Sequence, residues 1–320
     1  MITGGAGFIG RHVVRKIIQQ KEYSKVIVID NVRLENDSAF LEQVASSNQI
    51  IDLYTEDIRN KNAIDVILKK YEKIDTCIHL AAKTSVPASI FDPFETVDVN
   101  VRGTLSVLDA CAKNNVDNFI FASSSAVYGE TCSEPIREET ILQPLSPYGA
   151  SKIAGESLVT SYKNLAKIQN GICLRFFNVY GSGQCSDYAG VITNFSKRLD
   201  EGLPPIIYGD GGQFRDFISV DDIANALIIS ARSNLSGVFN IGTGVPTSIN
   251  ELAHEMIRIF GYDMHPVYLE PRSGDITYSC ASITKARDVL KFVSTEGIRA
   301  GLMNLIRQQS IQQDLSRRSM

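Results

Sequence analysis

Tyr148 and Lys152 stand four residues apart in Pro147-Tyr148-Gly149-Ala150-Ser151-Lys152. On a helix that spacing puts both side chains on one face, one turn apart. An ammonium near a phenol favours the phenolate and lowers a pKa ordinarily near 10, so the pair can move a proton at neutral pH. The same spacing occurs on ordinary amphipathic helices. This pair is set apart by Ser123-Ser124-Ser125-Ala126-Val127-Tyr128-Gly129, which directly follows the apolar run Phe119–Ala122. Strand ends in a parallel sheet open onto a ligand crevice, so hydroxyls placed there face whatever the sheet binds.

A second constellation opens the chain. Gly4-Gly5-Ala6-Gly7-Phe8-Ile9-Gly10 reads as G-x-x-G-x-x-G from Gly4 or as G-x-G-x-x-G from Gly5. Missing side chains allow a tight turn, close approach of a pyrophosphate to a helix N-terminus beginning near Phe8, and packing of that helix on a sheet. Asp30 ends the next strand, and an acid there accepts hydrogen bonds from an adenosine ribose and repels a 2′-phosphate. Asn31 rather than an arginine follows it, so the expected cofactor is NAD and not NADP. An acid at a strand end also fits a plain solvated cap. Asp57 and Ile58 follow the next apolar stretch and are placed beside the adenine.

The elements that must hold these residues follow from periodicity. Val26–Asp30, Thr76–Leu80, Phe119–Ala122 and Ile172–Phe176 read as buried parallel strands, and Arg11–Gln20, Ala63–Tyr71, Val97–Asn114 and Tyr148–Leu165 as helices. That alternation predicts an α/β fold built on a doubly wound parallel sheet. After Asn178 glycine and proline become frequent, which predicts a smaller C-terminal substrate-binding part. The nucleotide domain is expected over 1–178, with 216–242 returning to it as a helix (Asp216–Ser230) and a strand (Val238–Ile241); 179–215 and 243–320 make the smaller part, its tail from Arg307 free to fray.

With 320 residues, 44% of them hydrophobic, the chain can bury a sizeable core. Its net charge of −4 is spread along the sequence, which gives neither a nucleic-acid footprint nor a membrane-surface patch. Cys77, Cys111, Cys132, Cys173, Cys185 and Cys280 lack paired spacing and read as small core residues, and His12, His79, His254 and His265 form no ligand pattern, so no metal is expected. The absence of an apolar run of roughly 20 residues and of a charged leader predicts a cytoplasmic protein without a membrane segment. Only Met1-Ile2-Thr3 precede Gly4. A dinucleotide loop normally follows a longer buried strand, so the expectation is a truncated first strand or a start lying upstream.

Taken in order, Thr3–Gly10, Asp30, His79-Leu80-Ala81-Ala82, the Ser124 segment, Tyr148/Lys152, Arg175-Phe176-Phe177-Asn178 and Arg215-Asp216-Phe217 resemble the extended short-chain dehydrogenases, on their UDP-glucose 4-epimerase branch. The resemblance spans nearly the whole chain and implies a Rossmann-type nucleotide domain. It implies that Tyr148 is the base, that Lys152 holds the nicotinamide ribose and tunes Tyr148, and that Ser124, with Ser125 beside it, meets the sugar 4-hydroxyl. Ala81, Ala82, Lys83 and Asn100 would line the cofactor. Ser85, Asn178 and Ser279 would contact the sugar nucleotide, and Arg215 and Arg272, the latter in Glu270–Asp275, would clamp its diphosphate, with Asp275 alongside. A guanidinium fork suits phosphate oxygens; each arginine alone also fits a surface salt bridge.

Relatives that eliminate water carry an Asp-Glu pair directly after the catalytic hydroxyl, and UDP-glucuronate decarboxylases keep a glutamate at the second of those positions. Here the two are Ser125 and Ala126, so oxidation at C4 has no evident continuation except return of the hydride. The implied reaction is NAD-dependent 4-epimerisation of a UDP-hexose. A UDP-glucuronate 4-epimerase, another 4-keto-forming enzyme and a non-catalytic NAD sensor stand as alternatives. A small Ser279 would admit the N-acetylated hexoses, unless the segment is an ordinary loop. The resemblance also implies a homodimer formed through the helices around Val97–Asn114 and Tyr148–Leu165.

Overall fold

Seven parallel strands form the central sheet in the order β10-β6-β5-β4-β1-β2-β3: β1 Ile2–Thr3, β2 Val26–Asp30, β3 Ile51–Thr55, β4 Thr76–His79, β5 Asn118–Ser124, β6 Asn170–Phe176 and β10 Gly237–Ile241. The computed structural model describes residues 1–20, 23–31, 50–131, 134–184, 190–272 and 274–318. Cys132, Cys185 and Ser273 of the segments discussed above lie outside them. All five residues of β2 are buried, as a strand covered on both faces by helices requires. Strand β1 is only two residues long, yet it occupies the middle of the sheet, with Ile2 opposite Val28 on one side and Ile78 on the other.

Two hydrophobic clusters flank this sheet, one around Val13, Ile17, Ile223 and Leu227, the other around Ile64, Leu108, Phe119 and Val159. The helix Phe8–Gln20 belongs to the first cluster, together with Val220–Arg232. The long helix expected over Val97–Asn114 is instead three pieces: Pro93–Val97, a π turn over Asp98–Gly103, and Thr104–Lys113. At the end of this turn Gly103 leaves room for Ile58: a β-carbon there would lie 2.6 Å from Ile58 Cδ1. The turn carries Asn100 inward, in keeping with the tendency of π turns to mark functional positions.

The segment expected as a helix over Asp216–Ser230 begins as a strand, β9 Phe214–Ser219, and becomes helical at Val220, where Ser219 caps by accepting from Asp222 N. Strand β9 lies in a separate small sheet with β11 Pro246–Ser248, β13 Tyr278–Ser279 and β7 Asn178–Tyr180. Two further strands, β8 Ile206–Tyr208 and β12 Val267–Leu269, pair with each other. A third cluster, containing Phe195, Phe217, Met256 and Leu302, underlies this part. The tail expected to fray from Arg307 continues the helix Ile298–Arg318.

Candidate active site

Four strand ends converge at one rim of the central sheet. After β1, Gly4 turns with φ +72 and donates its N–H to Ile29 O at 2.8 Å. A β-carbon on Gly4 would stand 2.6 Å from Ala81 N, and one on Gly10 would collide with Gly4 O. The glycines therefore hold two backbones in contact and bring the helix from Phe8 and Ile9 onto the loop. Gly7 bridges them, donating to Gly4 O at 3.2 Å and accepting from Arg11 N at 3.0 Å. Asp30 closes the loop from β2, its carboxylate accepting from Ala6 N at 2.9 Å while it is only 8% exposed. This is a cradle that side chains would fill, opening on a helix N-terminus, and it fits the pyrophosphate of a dinucleotide. Asn31 follows at the exposed edge.

Further along the rim, Asp57 accepts from Arg59 Nη2 at 2.6 Å, and that arginine lowers the pKa of the Asp57 carboxyl. Ile58 is buried under Gly103. After β4 the chain passes through Ala81, Ala82 and Lys83, and Asn100 ties this stretch down: its Oδ1 accepts from Lys83 N at 2.8 Å, and its Nδ2 donates to Lys83 O at 2.9 Å and to Ser151 Oγ at 3.0 Å. Ser151 in turn donates to Tyr148 O at 2.7 Å. Asn100 thus joins the cofactor rim to the helix Pro147–Asn164, which bears Tyr148 and Lys152. Ser146 caps that helix by accepting from Gly149 N.

Tyr148 and Lys152 are both buried, and the geometry corrects the expectation of a lowered phenol pKa. Burial pushes the Tyr148 phenol above its ordinary value, opposed by a hydrogen bond with the Ser124 hydroxyl. The Lys152 ammonium does not sit at the phenol oxygen. It donates to Ala122 O at 2.8 Å and lies 5.7 Å from the centre of the Tyr148 ring. Burial brings Lys152 itself down to about 8, with the Glu156 carboxylate acting in the opposite sense. Ser124 ends β5 and caps the short turn Ser125–Val127, accepting from Ala126 N at 3.2 Å.

The residues assigned to the sugar nucleotide separate into two groups. Arg215 in β9 and Ser279 in β13 are register partners across a parallel ladder, and Asn178 in β7 pairs with Phe217, two residues on from Arg215. Side chains two apart on a strand share a face, so these positions line one side of the small sheet. Ser279 thus lies in a strand, and not in an ordinary loop. Arg215 is paired with Asp275, Nη2 to Oδ1 at 2.6 Å, which realises the salt-bridge alternative in this state of the protein. Asn178 Nδ2 donates to Asp216 O at 3.3 Å. Arg272 is exposed and stacks over Tyr208, 3.7 Å from the ring centre. Ser85 caps the helix Val86–Phe91, accepting from Ala88 N.

Sequence reasoning missed four buried polar residues around the site. His79, 1% exposed, bridges Thr3 Oγ1 at 2.6 Å and Thr104 Oγ1 at 2.9 Å, and burial brings it down to about 3, so it is neutral. Glu156 and Arg175 form a buried bidentate pair. Asp216, fully buried, accepts from Thr243 N at 2.8 Å, Gly244 N at 2.9 Å and Ala281 N at 3.2 Å, joining the loop after β10 to the segment after β13. A signal existed for two of them: Arg175 and Asp216 are charges inside the apolar runs ICLRFF and FRDFIS. Cys77, Cys111, Cys173 and Cys280 are free and buried. Among the described residues, no group of three or more His, Cys, Asp or Glu gathers as metal ligands, and no helix is long and apolar enough to cross a membrane.

Residues 1–242 match the model of the NAD dependent epimerase/dehydratase family. A putative UDP-glucose 4-epimerase of Methanocaldococcus jannaschii is 37% identical over 90% of this chain and 91% of its own. The structure of the Thermotoga maritima UDP-glucose 4-epimerase with UDP-glucose superposes with a TM-score of 0.88 at 34% identity, covering 97% of this chain and 98% of that one. A UDP-N-acetylglucosamine 4-epimerase from Methanobrevibacter ruminantium, in complex with UDP-N-acetylmuramic acid, does so with a TM-score of 0.87 at 35% identity over 97% of each chain.

Proposed function

The chain belongs to the NAD-dependent epimerase/dehydratase family and uses NAD as its cofactor, and on that premise we propose that it interconverts UDP-hexoses at C4. The observation carrying this reading is the buried Tyr148/Lys152 pair on one helix, with Lys152 anchored on Ala122 O two residues before Ser124 at the end of β5, and with Ser125 and Ala126 following where water-eliminating relatives carry an acid pair. Tyr148 takes the proton of the sugar 4-hydroxyl as its phenolate, the form that the positive charge of bound NAD would favour against the burial that raises the phenol, and Ser124 orients that hydroxyl. Lys152, anchored on Ala122 O, holds its positive charge against the ring side of the phenol and offers its remaining N–H groups to the cleft. When bound, NAD supplies a positively charged ring that accepts the C4 hydride and returns it. The 4-keto sugar turns over before Tyr148 gives its proton back to the opposite epimer, so no external reductant enters the balance.

Arg215 and Arg272 take the diphosphate. Arg215 leaves Asp275 to do so, an exchange of one anionic partner for another that a bidentate guanidinium makes readily. Binding energy gathered there holds the nucleotide while the sugar is free to turn. A homodimer belongs to the same proposal, supported by large apolar side chains left outside on consecutive helices: Phe91 is 92% and Phe94 85% exposed.

The test is to incubate the protein with NAD and, separately, UDP-glucose, UDP-galactose, their N-acetylated counterparts and UDP-glucuronate, with no reductant added. Conversion of a hexose to its 4-epimer is expected, and Tyr148→Phe should lower kcat by about three orders of magnitude or more with UDP-sugar binding retained. Accumulation of a keto sugar, conversion of UDP-glucuronate alone, or near-normal turnover in Tyr148→Phe overturns the reading.

A further inference from the structure

Two consecutive residues at the end of β5 are each held by a different turn of the helix Pro147–Asn164. The Ala122 carbonyl accepts from Lys152 Nζ at 2.8 Å, and Ser123 Oγ donates to Glu156 Oε1 at 2.5 Å; Ser124 is the next residue along the strand. Tyr148, Lys152 and Glu156 are spaced i, i+4, i+8, one stripe on the helix. The first two are used in the proton chemistry above; Glu156 is not. It is 5% exposed and gripped at both oxygens by Arg175, 4% exposed, through Nε–Oε1 at 2.8 Å and Nη2–Oε2 at 2.7 Å. Arg175 comes from β6 and spends Nη1 on Tyr128 Oη at 2.8 Å and Glu138 O at 3.0 Å. A buried ion pair is weak evidence for stability, since apolar side chains of like volume often serve as well. The tether to Ser123 and the place one turn from Lys152 give this pair a different task.

We propose that Glu156 is a positioning residue for the C4 chemistry: clamped by Arg175, it fixes through Ser123 the strand end that presents Ser124, and it is the counter-charge beside the buried ammonium of Lys152. The proposal rests on the functional reading above. The groups facing Lys152 are Tyr148 and Glu156 from its own helix, neutral His79 from β4 and the Phe121 ring of β5, whose centre lies 5.0 Å from Nζ. Glu156 is the anion of that set. Its loss leaves Lys152 and Arg175 as two buried cations without it, and Lys152 then gives up its proton at lower pH.

Two variants separate the charge from the tether. Glu156→Gln keeps the volume and an oxygen for Ser123 but removes the charge; Ser123→Ala removes the tether and leaves the ion pair. The titration of Lys152 is read from the ε-carbon resonance of labelled lysine, assigned by its loss in Lys152→Met, with and without NAD. In Glu156→Gln that midpoint should fall by about one pH unit or more, the alkaline limb of kcat/KM should move with it, and kcat near pH 8 should drop about fivefold or more with KM little changed. Ser123→Ala, which leaves the ion pair in place, should lower kcat at least about fivefold with the lysine midpoint unmoved. An unshifted midpoint in folded Glu156→Gln, or wild-type kcat in Ser123→Ala, overturns the proposal. The resonance titrates without any turnover of UDP-sugar, so its failure is distinct from failure of the reading on which it rests.

Discussion

Ser279 lies directly opposite Arg215 on the parallel ladder between β13 and β9, 7% exposed and on the same face of the small sheet. A side chain that shares a face with the guanidinium proposed to hold the diphosphate is placed to limit what hangs from that diphosphate. A serine leaves room there, and a tyrosine would fill it. UDP-N-acetylglucosamine and UDP-N-acetylgalactosamine should therefore be accepted alongside UDP-glucose and UDP-galactose, and Ser279→Tyr should lose the acetylated pair selectively, by about ten- to a hundredfold in kcat/KM. Equal loss of all four sugars, or of neither pair, removes the argument.

The glycine cradle predicts a coupled loss of stability and cofactor. In Gly10→Ala the new β-carbon meets Gly4 O and Gly5 Cα, both backbone atoms that cannot rotate away. Thermal denaturation should report a destabilisation of about 1–3 kcal/mol, and titration should show weakened NAD. Because Asp30 ends β2 against the same loop, wild-type protein should bind NAD far more tightly than NADP. Equal affinity for the two would place the ribose elsewhere.

The pH dependence has a definite sign. Burial lowers Lys152 to about 8 from an ordinary 10.5, and the protonated form is the one that carries the charge. Activity measured as kcat/KM should fall above pH 8. Stability contributed by this group runs the other way. Between 8 and 10.5 the unfolded chain binds the proton and the folded one does not, so the Lys152 contribution rises with pH across that window. Falling kcat/KM without a falling Tm identifies loss of the ammonium; a parallel fall of both indicates alkaline unfolding instead.

Phe91 and Phe94, on the helices Val86–Phe91 and Pro93–Val97, are the test of the dimer. Phe94→Glu puts a charge where an apolar contact is proposed, and light scattering should show a shift from dimer to monomer, with the Tm lowered. A wild-type protein that is monomeric at micromolar concentration ends that part of the proposal.

The alternation of β-branched runs with amphipathic segments determined the doubly wound sheet, because parallel strands covered on both faces must be continuously apolar and the connecting helices must bury one stripe. Local spacing likewise put Tyr148 and Lys152 on one face and marked the Gly4–Gly10 turn. Contacts between distant segments lay beyond such a reading. The close packing of Ile58 under Gly103, at the end of the π turn Asp98–Gly103, joins segments remote along the chain. The strand identity of Asp216 follows from the ladders that β7, β11 and β13 make with β9, and no local period encodes those partners. Proton affinity at Tyr148 was misjudged for the same reason. Helical spacing brings an ammonium near a phenol, but the direction of the shift is set by burial and by Ala122 O drawing the ammonium off the phenol oxygen, and both arise only when β5 and its neighbours close over the helix.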